Sequence, residues 1–258
     1  MTVAALAVRA ILSAQEATCD VSEVPWGTLV VNPEFHLVHD ANYLDLKAPA
    51  PGGIPEVLRR MDEAFAPLRI RHRKVFIGDE VLAWRVGPEF VGSGFTANPS
   101  IVMAANRPSS LSRSPEVSVR PARDRSTRDD YDAVAGLVHE ESLYDHETSN
   151  QLLSIHWRRA AQLGTESYVA YLGGEAVGCA ALDDVGGVAV VQEVATNPSH
   201  RSRGVAATVV LHLFDRARFS GLAPAVLETP VRDSTVAMYE KLGFDRIGTL
   251  AGFFRVAK

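Results

Sequence analysis

A short basic turn, Arg201-Ser202-Arg203-Gly204-Val205-Ala206, constrains the fold of this chain more than any other segment. It follows an apolar, strand-like run from Val188 to Thr196 and precedes a helical pattern of apolar residues from Ala206 to Arg218. The first turn of a helix has unpaired backbone N–H groups and the positive end of the helix dipole, and a glycine there lets a ligand approach the backbone closely. The sequence therefore predicts that this turn begins a helix and binds a pyrophosphate group.

The turn differs from two well-known phosphate-binding loops. No Gly-Lys-Ser/Thr follows it, so it is not a Walker A loop, and it lacks the G-x-G-x-x-G fingerprint of dinucleotide sites. A second motif lies downstream, where Ser234 to Phe244 is typical of a short helix that ends at Gly243.

Together, the two motifs resemble the GNAT superfamily of acyltransferases. Arg201-x-x-Gly204-x-Ala206 is similar to the family signature Q/R-x-x-G-x-G/A, and the helix before Phe244 is similar to its A-x-x-L-Y-x-K-L-G-F element. Upstream, a strand at 117–122, two helical segments and a hairpin around Gly173-Gly174 follow the same order of elements. The resemblance covers about residues 117–258 and implies an α/β fold with a mixed sheet.

The first hundred residues repeat part of this order without the basic turn. A strand, a helix, Gly94-Phe95 and a closing strand recur there, which suggests a smaller, degenerate GNAT-like half. An unrelated small α/β domain is the alternative. We therefore predict an N-terminal domain at 1–106, a linker rich in Ser, Pro and Arg at 107–116, and a catalytic domain at 117–258.

The composition of the chain argues against several other classes of protein. The 258 residues are 47% hydrophobic with a net charge of −5, which argues against a general nucleic-acid surface. The basic segment Arg69 to Lys74 is the exception, and we predict it to be a strand whose Arg69, Arg71 and Arg73 form a solvated stripe. No apolar run is long enough to span a membrane. The helical segment Thr2 to Ala17 is interrupted by charged residues, which argues against a signal peptide. We therefore expect a cytoplasmic protein.

Cysteine and histidine usage indicates neither disulfides nor a metal. Cys19 and Cys179 have no meaningful spacing, and Cys179 lies in an apolar strand where a buried, inert thiol is expected. The eight histidines form no recognisable ligand set. We predict no metal.

The resemblance implies a bound acetyl-CoA as acyl donor. In the family, backbone amides of the strand before the turn receive the pantetheine and polarise the thioester carbonyl, while the turn binds the pyrophosphate. The corresponding residues here are Val194, Ala195, Thr196, Arg201, Ser202, Arg203, Gly204, Val205, Ala206 and Ala207. Plain strand packing is the alternative for Val194 and Thr196, and both roles can hold together.

The resemblance also implies catalytic residues. A tyrosine at the position of Tyr239 often protonates the departing thiolate, although Tyr239 could instead be an aromatic anchor for the last helix. Some relatives have an acidic residue at the place of Glu193, which could deprotonate the amine. A carboxylate paired with an arginine for structural reasons is the alternative, and Glu228 is the reserve candidate for the base.

Two positions depart from the family pattern. Other relatives have a glutamate three residues before the position of Glu193, where this chain has Val190. Many relatives have a cofactor-binding asparagine where this chain has Arg232.

The acceptor is the least constrained part of the prediction. In the family, the acceptor site is lined by the first two helices and the loop between them. The corresponding residues here are Glu140 to His146 together with His156-Trp157. The acidic residues of this segment either suit a cationic amine or form a solvated helix end. The expected partners are acetyl-CoA and an amine, with no nucleic acid and no membrane, and the chain is a monomer or homodimer. A non-catalytic acyl-CoA-binding module, and a nucleic-acid or anion-binding protein that uses the basic segment Arg69 to Lys74, remain the alternatives to an N-acetyltransferase.

Overall fold

The computed structural model describes residues 2–106, 112–231 and 233–256. Contacts divide them into two compact units. The N-terminal unit contains the described residues of Met1–Val102, Glu228–Arg232 and Ile247–Lys258, and the C-terminal unit contains those of Met103–Leu227 and Asp233–Arg246. Part of the predicted linker, 107–111, lies outside the described residues, as does Arg232.

The described segments form seven α-helices and twelve strands. In chain order they are α1 (Val3–Glu16), β1 (Asp20–Val24), β2 (Gly27–Val31), β3 (Tyr43–Leu46), α2 (Gly53–Phe65), β4 (His72–Ile77), α3 (Glu80–Gly92), β5 (Thr96–Ala97), β6 (Ser100–Ala105), β7 (Val117–Pro121), α4 (Arg125–Glu141), α5 (His146–Leu163), β8 (Glu166–Leu172), β9 (Glu175–Val185), β10 (Val188–Thr196), α6 (Val205–Phe219), β11 (Ala225–Pro230), α7 (Asp233–Lys241) and β12 (Asp245–Val256).

The N-terminal unit is a mixed sheet covered by helices. Strands β1, β2 and β3 pair antiparallel, β3 pairs parallel with β4, and β12 pairs antiparallel with β4. Helix α2 buries Ile54, Val57, Met61 and Phe65, whose spacing of three to four residues places them on one face. That face packs into a core that includes the fully buried Phe90.

The C-terminal unit is a second mixed sheet. Strands β7, β8, β9 and β10 are antiparallel neighbours, and β10 pairs parallel with β11 at Ala189–Ala225 and Val190–Val226. Helix α6 buries an apolar stripe that begins at Val205, and α4 packs Tyr131 into a cluster with Val169 and Cys179. Cys179 is fully buried, as the sequence predicts.

Most of the predicted elements are confirmed. Strand β10 has the predicted limits, and the mixed α/β class is correct. The short strands β1 and β3 were not predicted. The last strand pairs with β4 from Ala251 to Val256 and therefore belongs to the N-terminal unit, while the predicted domain limits at 106 and 117 stay a prediction.

The predicted basic stripe is wrong. Strand β4 begins only at His72, and Arg69 has φ +60°, a left-handed conformation that ends the preceding helical turn. Arg73 is 3% exposed and its Nε donates to Oδ1 of Asp62 over 2.7 Å. The three arginines do not share a solvated face, because the side chain of Arg73 is buried and pairs with Asp62 of α2.

Candidate active site

The basic turn of the C-terminal unit has the predicted geometry. Helix α6 begins at Val205, directly after Gly204, which has φ +77°. Glycine adopts this left-handed conformation without the steric penalty that a Cβ brings. Ser202 also has a positive φ, +62°, and the residues from Arg201 to Gly204 are exposed. The N–H groups of the first helical turn therefore lie behind an exposed basic loop, an arrangement that suits an anion.

Arg201 has a carboxylate partner that the sequence did not indicate. Its Nη1 donates to Oε1 of Glu141 over 2.6 Å, and its Nη2 donates to Oε2 of the same side chain. Both side chains are about half exposed, at 47% and 45%. The hydrogen bond to Glu141 raises the pKa of Arg201, so the guanidinium stays charged. Glu141 is exposed at the end of α4, as in the solvated alternative, and its carboxylate also connects the last turn of α4 to the basic turn.

Strand β10 contains a bulge just before the turn. Its register with β9 shifts between Gln192 and Ala195, and the pairing resumes at Ala195–Cys179 and Thr196–Gly178. Glu193, inside the bulge, has φ +54°, which is rare for a residue with a side chain and frequent at functional sites. The bulge interrupts the regular ladder at Val194, one of the residues for which the resemblance implies a backbone contact with pantetheine.

Three side chains from α4 and α5 hold the carboxylate of Glu193. Tyr131 donates its hydroxyl to Oε2 over 2.9 Å, Nδ1 of His156 lies 2.7 Å from the same oxygen, and Nη2 of Arg159 donates to Oε1. Tyr131, His156 and Arg159 are almost completely buried. His156 and Arg159 are three positions apart, so they share one face of α5. We call these three residues and Glu193 the bulge cluster.

The bulge cluster keeps Glu193 ionised. The side chain of Glu193 is 36% exposed. Partial burial of the carboxylate would by itself raise its pKa, but the neighbouring His156 and Arg159 and the hydrogen bond from Tyr131 outweigh burial and hold that pKa below its usual range. A carboxylate with a lowered pKa accepts a proton weakly near neutral pH. The contacts match the alternative of a carboxylate paired with an arginine, and the role of Glu193 as a base stays a prediction.

Tyr239 is a buried aromatic residue of α7. It is 6% exposed, and its ring centroid lies 5.8 Å from that of Phe244, which follows the helix. Burial raises the pKa of its hydroxyl, so the phenol carries its proton. The position fits the aromatic anchor, and a protonated phenol also fits the predicted acid; the catalytic role stays a prediction.

Glu228, the reserve candidate, lies in the N-terminal unit. Gln15 donates its Nε2 to Oε1 of Glu228 over 3.3 Å, and burial raises the pKa of the carboxyl to about 7. A carboxyl with that pKa is better matched than Glu193 to proton transfer near neutral pH. Its role as a base also stays a prediction.

The segment predicted to line the acceptor site is only partly available to a ligand. Asp145 caps α5 by accepting from the backbone N of Thr148 over 2.7 Å. Trp157 donates its Nε1 to Oδ1 of Asp132 over 2.8 Å, while His156 is 1% exposed within the bulge cluster. Tyr144 is 42% exposed, so its ring is accessible to a ligand.

Sequence reasoning missed Tyr131 and Arg159, and it did not pair Glu141 with Arg201. Each acts through a partner far along the chain, and only the spacing of His156 and Arg159 on one helix face gave a signal for any of them. Among residues 2–106, 112–231 and 233–256, no group of three His, Cys, Asp or Glu side chains could hold a metal ion. No helix in the same ranges combines the length and the hydropathy that a membrane span needs.

Part of this chain is similar to known proteins in sequence. The family described as "Acetyltransferase (GNAT) family" matches residues 131–244. A protein named "IAA acetyltransferase" from Azospirillum brasilense is 34% identical over 121 residues, which cover 44% of this chain and 77% of that protein.

Solved structures extend the likeness in fold to nearly the whole chain. A GCN5-related N-acetyltransferase from Kribbella flavida has a TM-score of 0.71 and 19% identity, and the match covers 98% of this chain and 96% of that one. A conserved protein of unknown function from Staphylococcus epidermidis has a TM-score of 0.73 and 14% identity over 92% and 93% of the two chains. At these identities the likeness shows the fold.

Proposed function

Since this chain belongs to the acetyltransferase (GNAT) family, we propose that it transfers the acetyl group of acetyl-CoA to a primary amine of a small molecule or peptide. The amine attacks the thioester carbon directly, the C–S bond breaks, and coenzyme A leaves as a thiol. The observation that carries this proposal is the exposed basic turn from Arg201 to Gly204 at the N-terminus of α6, directly after the bulge in β10.

Donor binding is assigned to the bulged strand and the turn. Backbone groups of Val194, Ala195 and Thr196 receive the pantetheine, and the turn with the first residues of α6 binds the pyrophosphate. The rest of the set lies in the turn and the first helical residues: Arg201, Ser202, Arg203, Gly204, Val205, Ala206 and Ala207. A backbone N–H aimed at the thioester oxygen stabilises the negative charge that develops there.

Two side chains have proposed chemical roles. Tyr239, whose hydroxyl is protonated, supplies the proton to the departing thiolate. Glu193 receives a proton from the amine through a bound water. Its lowered pKa makes the carboxylate a weak base, and a rate that is insensitive to Glu193→Gln leaves Glu193 with a structural role only.

A non-catalytic acyl-CoA-binding module is the second candidate. The bulge cluster favours it, because every oxygen of the Glu193 carboxylate has a partner and the carboxylate is a weak base. In this reading the chain binds acetyl-CoA through the same turn but releases no coenzyme A in the presence of an acceptor.

Release of free thiol from acetyl-CoA separates the two candidates. The acceptor panel contains primary amines, amino acids, aminoglycosides and peptides, together with IAA, which the name of the Azospirillum relative suggests. The proposal expects acceptor-dependent thiol release that Tyr239→Phe lowers and Tyr168→Phe, which changes another buried tyrosine of the same unit, leaves in place. Stabilisation by acetyl-CoA without thiol release supports the binding module, and no stabilisation by acetyl-CoA contradicts both.

A further inference from the structure

The N-terminal unit repeats the arrangement of strands and helix that surrounds the turn in the C-terminal unit. In the C-terminal unit a strand, a helix and a parallel strand follow one another as β10, α6 and β11. The N-terminal unit has the same order in β3, α2 and β4, with parallel pairs Leu44–Val75 and Asp45–Phe76. Ligands of open α/β sheets bind outside the carboxyl ends of such parallel strands.

A cavity lies at that place in the N-terminal unit. It has a volume of about 490 Å³. It is bounded by the carboxyl end of β3, the start of α3, one face of α1 and residues 247–249 of β12. Its apolar wall includes Ala4, Val8, Leu12 and Leu46. A cavity of this size with an apolar wall and a few polar groups is typical of small-molecule sites.

The cavity does not suit coenzyme A. The connection that would correspond to the pyrophosphate turn, residues 48–53, contains only Ala, Pro and Gly and no basic side chain. The helix N-terminus that borders the cavity, that of α3, already has two carboxylates. Asp79 accepts from the N–H of Leu82 over 2.8 Å, and Glu80 accepts from the N–H of Thr249 over 2.9 Å. A further anion is therefore disfavoured there.

One polar group in the wall lacks a hydrogen-bond donor. The side chain of Asp45 is 8% exposed, and within the described part of the chain its carboxylate accepts no hydrogen bond. The nearest cation, Nζ of Lys47, lies 3.8 Å from Oδ2, beyond hydrogen-bond distance, and donates to Thr28 instead. The other basic residue of the wall, Arg9, pairs with Glu16 over 3.1 Å.

We propose that this cavity binds a small primary ammonium compound with an apolar body, whose ammonium group donates to Asp45. A buried carboxylate without a donor is unfavourable, and an ammonium group both neutralises it and satisfies its oxygens. The apolar wall receives the body of the ligand. Two other residues that line the cavity pack closely against each other, since a Cβ on Gly78 would lie 2.7 Å from Cγ1 of Val8.

The test compares three probes of one size and different charge. n-Hexylamine, hexanol and hexanoate are titrated into the full chain at pH 8, where an alkylamine is protonated. The proposal expects hexylamine to bind with a Kd in the millimolar range or tighter, and hexanol and hexanoate at least ~10-fold more weakly. Backbone amide resonances of Val8, Leu46 and Gly78 shift with hexylamine.

Variants assign the binding to Asp45. Asp45→Asn is expected to weaken hexylamine binding at least ~10-fold, since it removes a charge-assisted hydrogen bond. Asp20→Asn, which changes an exposed carboxylate of the same unit, leaves the affinity unchanged. Binding that survives Asp45→Asn, hexanoate binding as tight as hexylamine, or no binding at ~10 mM hexylamine overturns the proposal.

The outcome is independent of the proposed acetyl transfer. An acceptor site in the C-terminal unit could also take hexylamine, but Asp45→Asn would not change that binding, and its shifts would not fall on Val8, Leu46 and Gly78. Thiol release from acetyl-CoA reports on the other unit and is unaffected by whether this cavity binds an amine.

Discussion

Replacing Asp45 by asparagine is expected to stabilise the protein at pH 8. Burial is the main reason that the pKa of this carboxyl rises from 3.8 to about 6, and the nearby Lys47 and Arg9 offset burial only in part, while Glu16 and Glu23 raise the pKa further. The amide has the shape of the carboxyl group but carries no charge. The variant therefore removes the penalty of ionising a buried acid.

The magnitude follows from the two pKa values. One pKa unit corresponds to about 1.4 kcal/mol, so the difference between 3.8 and about 6 corresponds to about 3 kcal/mol. Because the pKa of Asp45 is higher in the folded than in the unfolded chain, its contribution to wild-type stability is lost as the pH rises from about 4 to about 6 and changes no further above that. The gain from Asp45→Asn is about 3 kcal/mol at pH 8 and about half of that at pH 5.

Urea denaturation at pH 5 and pH 8 measures this gain. The midpoint of unfolding shifts upward in Asp45→Asn at both pH values, and more at pH 8, with an unchanged slope. Asp20→Asn, at an exposed position, changes the free energy of unfolding by less than about 0.5 kcal/mol. Equal or lower stability of Asp45→Asn at pH 8 would refute the assignment of a destabilising buried carboxylate. A stabilised variant that no longer binds hexylamine would mark Asp45 as a residue retained for binding at the expense of stability.

Three further predictions concern the C-terminal unit. Tyr239→Phe lowers kcat by about 100-fold with little change in the KM for acetyl-CoA, measured by thiol release, because it removes a general acid; an unchanged kcat eliminates that role. Glu193→Gln lowers stability by about 2 kcal/mol or more in urea denaturation, because the buried Arg159 loses its charged partner; an unchanged midpoint contradicts the structural role. Glu141→Gln tightens acetyl-CoA binding two- to fivefold, measured by calorimetry, because it releases Arg201 from a competing carboxylate. The ion pair between them is exposed and therefore contributes ~1 kcal/mol or less. Weaker binding would show instead that Glu141 positions Arg201.

The elements around the turn could be predicted because their signals are local. The apolar run of β10, the glycine at position 204 and the helical period of α6 lie within about thirty residues and agree with one another. The short strand β3 was missed because four residues give too little periodicity to separate a strand from a loop.

The contacts that define the site could not be read from the sequence. The bulge at Glu193 leaves the composition of its strand unchanged, and its partners Tyr131 and Arg159 lie 62 and 34 positions away. The same reason applies to the basic segment, where the burial of Arg73 depends on Asp62 of a neighbouring helix. Side-chain pairing across elements is decided by packing, on which the pattern along one strand gives no information.

Calorimetric titration of the full chain with acetyl-CoA tests the central claim, that the basic turn holds the acyl donor. The informative variant is Arg203→Ala, since Arg203 is exposed and its removal disturbs no ion pair within the described residues. Arg218→Ala, an exposed arginine at the other end of the same helix, is the matched control. We predict one site per chain, an affinity about tenfold lower in Arg203→Ala, as expected for a lost contact to phosphate, and no change in Arg218→Ala. No binding of acetyl-CoA, or equal affinities in all three proteins, would contradict the claim.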